Sequence, residues 1–370
     1  MSGTLAIVIF VVALLAVILI HEAAHFGMAR LFKIKVEEFF VGFGPRVWSV
    51  KRGETEYGVK ALPLGGYVKI AGMNPFEEPT PEEYPRTFGA KPIWQRALVI
   101  VAGPATHFVI AFGLFAAYLA FAGSPLKPEI GLVEDTLGGR PAPAAQAGLR
   151  PGDRIVGIDG IDHPSIESVI DYTYKHPGEP VELTILRSGK KTTITMTPLP
   201  AHVPGVEGRV GRIGVTLEPG KAGPVEAIVD GGNLLGRATV ATVENLGRVF
   251  GPQGIGRIAD LIFGNAQRQT TDVTSVVGIG RAVGQASGDP FLVLFILASV
   301  NVFVGVLNLI PLPPFDGGHL AVLAIEKVRG RKVDMRKLIP VTAVVAAFLI
   351  LFMVSVLYLD VVKPLPNIFR

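Results

Sequence analysis

The chain of 370 residues contains no cysteine. Without thiols there is neither a disulfide framework nor a zinc–thiolate site, so any transition metal must be held by histidine and carboxylate. Charge is scarce as well: Asp, Glu, Lys and Arg make up 18% of the residues and the net charge is only +4. The basic residues cluster beside apolar runs, which suits membrane-surface anchoring, and no nucleic-acid motif is present. The first residues lack a basic n-region and a small-residue cleavage site, so the apolar stretch that opens the chain is expected to stay as an anchor.

The chain is 49% hydrophobic, yet its 29 prolines are too many for a bare helical bundle, so part of it must lie outside a bilayer. Four apolar runs match the ~20 residues needed to cross a membrane: about Gly3 to Leu31, about Ile93 to Ala122, Pro290 to about Leu312, and Leu338 to Val362. Arg30, Lys33, Lys35, Arg46, Lys51, Arg52, Lys60, Lys69, Arg86 and Lys91 lie in the first connection, and Lys327, Arg329, Arg331, Lys332, Arg336 and Lys337 in the last. The positive-inside rule assigns both connections to the cytoplasm and the termini and long middle segment to the opposite side.

His21, Glu22 and His25 form a His-Glu-Ala-Ala-His motif at the end of the apolar run from Leu5 to Ile20. Residues four apart share a helix face, so His21 and His25 can bind one Zn²⁺ with Glu22 beside it as general base. HExxH alone is a weak signal, and in a soluble helix it is usually solvent-exposed. Inside a membrane span that explanation fails, because a charged group at the bilayer centre costs on the order of 2.5 to 3.5 kcal/mol and normally faces a polar interior. A third ligand is needed. Asp316 is the only acidic residue near the end of the third run, which closes as Asn308-Leu309-Ile310-Pro311-Leu312-Pro313-Pro314-Phe315-Asp316-Gly317-Gly318-His319. His319 is its rival, and Asp316 is favoured because a hard oxygen completes the usual hydrolytic set. Asp-Gly-Gly by itself is commonly just a turn.

Between the first two spans, Val36–Val41, Val47–Lys51, Glu56–Ala61 and Gly66–Ala71 are β-prone segments with glycine-rich breaks, expected to form two hairpins. They are either a plain surface sheet or an edge that pairs with an extended substrate. In the middle segment, Pro143 to Asp153 is followed by a strand at Arg154–Ile158, a turn at Asp159-Gly160 and a helix from about Ile166 capped by Ser165. Two strands joined at Ser188-Gly189 come next, and Val210–Leu217 is a candidate last strand. This order resembles a PDZ domain, a peptide-binding module. The stretches Leu234–Phe250 and Ile255–Phe263 are amphipathic and suited to a membrane surface.

Taken together, HExxH, Asn-x-x-Pro-x-Pro-x-x-Asp-Gly from Asn308 to Gly317, and the PDZ-like insertion resemble the site-2 protease family of intramembrane zinc metalloproteases. The likeness is to its bacterial regulator-of-sigma-E-protease type with one PDZ domain. Val41-Gly42-Phe43-Gly44-Pro45 and Pro63-Leu64-Gly65-Gly66-Tyr67 are similar to that family's membrane-dipping hairpin. The resemblance implies Zn²⁺ held by His21, His25 and Asp316, Glu22 as the catalytic acid/base, and Asn308 in contact with substrate or the developing oxyanion. It implies substrate contacts along Gly65, Gly66 and Tyr67, with single-pass membrane proteins such as anti-sigma factors, or remnant signal peptides, as substrates. It also implies a multi-pass protein of the bacterial inner membrane. One departure is plain: the family often has Gly-Pro-x-x-Asn-Phe in the second span, where this chain reads Gly103-Pro104-Ala105-Thr106-His107-Phe108. His107 could donate a comparable hydrogen bond to substrate, bind metal in a resting state, or be satisfied by a neighbouring helix.

The expected fold class is a polytopic α-helical membrane protein of four transmembrane helices, with a membrane-associated β-hairpin region and an inserted α+β PDZ-like domain. Its expected divisions are 1–31, 32–92 (hairpin region), 93–122, 123–200 (PDZ-like), 201–289 (Gly-rich), 290–320 (third span), 321–337 (basic loop) and 338–370. A metal transporter or a catalytically silent scaffold are the rival functions. The transporter should show a repeated half or further ionisable groups in the spans, and spans two and four carry almost none.

Overall fold

The computed structural model of the chain describes residues 2–74, 76, 79–203 and 208–365. In chain order the main elements are helix α1 (Gly3–Leu31), strands β1 (Val36–Arg52) and β2 (Thr55–Ile70), and helix α2 (Ile93–Ala122). Next come strands β3 (Ser124–Val133) and β4 (Arg154–Ile158), helix α3 (Ile166–Lys175), and strands β5 (Val181–Arg187), β6 (Lys190–Met196) and β7 (Val215–Gly220). Helices α4 (Pro224–Phe250), α5 (Pro252–Phe263), α6 (Val276–Gln285), α7 (Pro290–Asn308), α8 (Asp316–Arg329) and α9 (Ile339–Val362) follow. The chain divides into two compact units, Met1–Phe115 with Leu234–Arg370, and Ala116–Asn233.

Among the described residues, four stretches are long and apolar enough to cross a bilayer: Gly3–Leu31, Ile93–Ala122, Pro290–Asn308, and Met335–Val362, the last including the turn before α9. Val12, Val109, Val344 and Leu351 on these helices are exposed. Apolar side chains presented outward along whole helices suit a lipid surround better than water.

In the first unit, β1 and β2 are long, bent strands whose four segments pair as one sheet. Trp48–Arg52 pairs with Thr55–Val59, which pairs with Glu38–Val41, which in turn pairs on its far side with Gly66–Lys69. One sheet therefore replaces the two hairpins expected from the sequence. The reason is local: Gly42 and Gly44 sit at φ 88° and 86°, so β1 turns sharply and both of its arms can be used. Gly66–Ile70 is left at an edge of the sheet. The root of the sheet is anchored in a core of Ala29, Ile34, Val36, Ile70, Phe88, Val99 and Ile100.

The third span is shorter than expected. Helix α7 ends at Asn308, and Pro311, Pro313 and Pro314 cannot donate the hydrogen bonds needed to continue it. Residues expected as a basic loop instead form most of α8, with Asp316 in its first turn, Lys327 and Arg329 in its last, and Gly330 at φ 65° closing it. That charge order favours the helix dipole, and the left-handed glycine is a common helix terminator. Near the end of α9, buried Asp360 accepts a 2.9 Å hydrogen bond from Arg268.

The second unit holds a sheet in the order β7-β3-β4-β5-β6, with Ile161–Asp162 pairing on β4. Ile130, Ile155, Ile158, Val169, Leu183 and Ile185 form the centre of its core. Two of its tight turns, Asp159-Gly160 (41° and 80°) and Ser188-Gly189 (48° and 81°), have positive φ at both central residues, as right-twisted hairpins require. Ser165 caps α3 by accepting the Ser168 N–H at 3.2 Å. Strand β3 was hidden in the sequence by Pro125 and Pro128, and because β7 pairs with it the sheet runs past residue 200. Helix α4 also starts earlier than its amphipathic stretch: Gly231 has Ala116 backbone within 3.1–3.2 Å of where a Cβ would stand, so close packing rather than periodicity explains the glycine.

Candidate metal centre

Helix α1 places His21 and His25 on one face, 8% and 6% exposed, with their Nε2 atoms 3.1 Å apart. The first residue of α8 comes between them: Asp316 Oδ2 lies 3.3 Å from His21 Nε2 and 3.4 Å from His25 Nε2. A tetrahedral zinc with bonds of about 2.0–2.1 Å holds its ligand atoms about 3.3 Å apart, so this triangle has the size of three zinc ligands. Asp316 Oδ2 is buried with no hydrogen-bond partner among the described residues. An orphaned carboxylate oxygen facing two ring nitrogens is a costly arrangement that a cation resolves.

The turn that delivers Asp316 depends on the two glycines after it. A Cβ at Gly318 would stand 2.7 Å from the Leu312 carbonyl carbon and 2.9 Å from Pro313 Cα, so the proline turn packs directly against the start of α8. On the other side, α2 supplies the Val99 carbonyl oxygen 2.8 Å from His25 Nδ1, fixing that ring. Gly103 lets α2 approach, since a Cβ there would overlap both imidazoles. Neither Val99 nor Gly103 stood out in the sequence as a site residue; Gly103 was visible only within the Gly-Pro motif.

Glu22 points to the sheet edge. Its Cγ lies 3.1 Å from where a Cβ of Gly66 would be. Gly65, at φ 146°, packs against Phe43. The Tyr67 hydroxyl is engaged by Glu38 and by Lys60, the latter at 2.7 Å, so that ring is held within the sheet. Asn308 closes α7, with the proline turn between it and Asp316. His319 lines a cavity of about 160 Å³ beside Arg96 and Glu326 and is not in the ligand triangle. His107 is 2% exposed; its ring lies 5.0 Å from that of His21, and its Nδ1 is 3.2 Å from Asn301 Oδ1. Asn301 was also missed, although a lone amide inside an apolar span is itself a signal.

A two-histidine, one-carboxylate group with an adjacent glutamate, in a chain whose described residues include four helices long and apolar enough to cross a membrane, defines a class: a membrane protein equipped for metal-assisted hydrolysis. The sequence model of Peptidase family M50 matches residues 9–352, and the chain belongs to that family. It is similar to "Zinc metalloprotease Rip1" of Mycolicibacterium smegmatis, 33% identical over 98% of this chain and 98% of that one. The Rip1 protein of Mycobacterium tuberculosis is also 33% identical, over 97% and 98% of the two chains. Among solved structures, the PDZ domain of an SdrC-like protein from Listeria monocytogenes is 26% identical over 26% of this chain and 88% of that one, with a TM-score of 0.21.

Proposed function

We propose that the chain is an intramembrane zinc metalloprotease of the site-2 type, hydrolysing peptide bonds within or near the transmembrane segments of membrane proteins. The observation that carries this is the triangle formed by His21, His25 and Asp316, set beside Glu22 at the edge of the sheet. Zinc bound there supplies Lewis acidity toward the scissile carbonyl. Glu22 takes a proton from the attacking water and returns it to the leaving amine. Asn308 contacts the substrate or the developing oxyanion.

A substrate helix hides its backbone in internal hydrogen bonds, so it must unwind before attack. The edge from Gly65 to Val68 pairs with the unwound strand, which brings its carbonyl beside Glu22. The exposed Phe43, Val47, Trp48 and Leu62 on the same sheet seat it in the bilayer. Substrates are single-pass proteins already trimmed outside the membrane, such as anti-sigma factors, or remnant signal peptides. The protein lies in the bacterial inner membrane, with residues 32–92 and 321–337 on the cytoplasmic side and the PDZ-like unit opposite, where it excludes bulky ectodomains or recognises new chain ends.

The test is Glu22→Gln in purified full-length protein given a transmembrane peptide. Turnover should be lost while zinc stays bound; undiminished cleavage would return the chain to the scaffold class.

A further inference from the structure

The two histidines of the centre are supported unequally. His25 Nδ1 has the Val99 carbonyl oxygen at 2.8 Å. His21 Nδ1 is buried with no partner among the described residues. An imidazole that offers Nε2 to a metal carries its hydrogen on Nδ1, and ligands of this kind nearly always donate it to an acceptor. Besides its co-ligand His25, whose ring centroid is 4.7 Å away, the polar ring beside His21 is that of His107, 5.0 Å between centroids and tilted by 47°.

His107 is oriented by α7. Asn301 donates its amide N–H to the Leu297 carbonyl at 2.8 Å, and that carbonyl can only accept, so the Asn301 amide oxygen must be the atom facing His107. Asn301 Oδ1, 3.2 Å from His107 Nδ1, therefore requires the hydrogen on that nitrogen. His107 Nε2 is left with a lone pair. Gly305 allows this contact, since a Cβ there would stand 3.1 Å from His107 Cβ.

Resting on the zinc-protease assignment above, we propose that His107 is a positioning residue for the metal centre. It accepts the Nδ1–H of His21, directly after a ring rotation or through one water, when zinc is held. A chain of hydrogen bonds then runs from His21 through His107 and Asn301 into the backbone of α7. The second span thereby orients both ligands, His25 through a carbonyl and His21 through an imidazole. In this chain the histidine in the Gly-Pro-x-x-His-Phe motif serves the metal's ligand rather than the substrate.

The test measures zinc affinity by chelator competition, and the visible spectrum of the Co²⁺-loaded form, in full-length protein in detergent. His107→Leu should weaken zinc binding about 10–100-fold and alter the cobalt bands. His107→Gln, which restores an acceptor oxygen, should recover much of the loss, and Asn301→Leu should weaken binding in the same sense. Wild-type affinity and an unchanged cobalt spectrum in folded His107→Leu overturn the proposal; if that variant does not fold, wild-type affinity in Asn301→Leu does so. A wild-type chain that binds no zinc sinks the metal centre itself, an outcome separate from the other two.

Discussion

Gly103 on α2 lies so close to the His25 ring of α1 that a methyl group there would stand 2.6 Å from His25 Cε1, and 2.7 Å from His21 Cε1. The second span can lean on the metal-binding face of the first only because this position has no side chain. In an ordinary helix, Gly→Ala gains roughly 0.5–1 kcal/mol. Here Gly103→Ala should displace the imidazoles and cost zinc content and activity more than tenfold. Gly113→Ala on the same helix, where nothing lies within 4 Å of the added methyl, should leave both unchanged. Metal analysis and peptide cleavage on the two variants check the contrast.

Gly66 separates metal binding from catalysis. Its missing Cβ would meet Glu22 Cγ at 3.1 Å and the Phe40 carbonyl oxygen at 3.2 Å. Gly66→Val should push Glu22 off its position and lower turnover by up to about 100-fold, the scale expected for a misplacement near 1 Å. Zinc content should stay at the wild-type level, because Gly66 does not touch the ligand triangle.

Arg96 of α2 and Glu326 of α8 form a buried ion pair, Nη2 to Oε2 at 2.6 Å, with side chains 8% and 6% exposed. Glu326 also accepts the Val333 N–H at 3.0 Å. Glu326→Ala leaves Arg96 charged, buried and alone, which should destabilise the protein by about 3–5 kcal/mol. Removing both charges in Arg96→Met/Glu326→Leu should be milder than the single change. Thermal unfolding in detergent distinguishes the two.

Acid should weaken the second unit through Asp153. Burial alone would raise its carboxyl, but the paired hydrogen bonds from Arg187 at 2.6 Å and the Arg150 backbone N–H outweigh burial and hold it below its ordinary value. The folded state therefore holds the Asp153 proton more weakly than the unfolded chain, whose carboxyl titrates near 3.9. Stability from this group is complete above about pH 5 and is lost as pH falls through the folded value. The melting-temperature gap between wild type and Asp153→Asn should hold from pH 6 to about 5 and shrink as pH falls further toward 3. A constant gap would mean that the ion pair does not govern acid stability.

Much of the site was legible because its signals are local. The His21-Glu22-x-x-His25 spacing, the apolar runs of four spans, the proline turn before Asp316, and the Asp-Gly and Ser-Gly turns of the second unit each lie within a few residues. Periodicity and backbone chemistry act over the same distance. The features that escaped depend on what comes near in space. Strand β3 was masked by its prolines, the one-sheet pairing of β1 and β2 by bends at glycine, and the early start of α4 by a glycine that exists for packing.

The sequence by itself determined the chemistry on offer: with no thiols, a metal could be held only by imidazole and carboxylate, and two histidines one turn apart inside an apolar helix had to face something polar. It also determined where helices must stop, because prolines cannot donate and a left-handed glycine ends a helix. Only the tertiary structure decided that Asp316 rather than His319 meets the histidines, that Val99 and Gly103 support them, and that Asn301 meets Nδ1 of His107. Those are contacts between residues far apart in the chain. Packing of separate helices selects them, and no pattern along one helix encodes the choice.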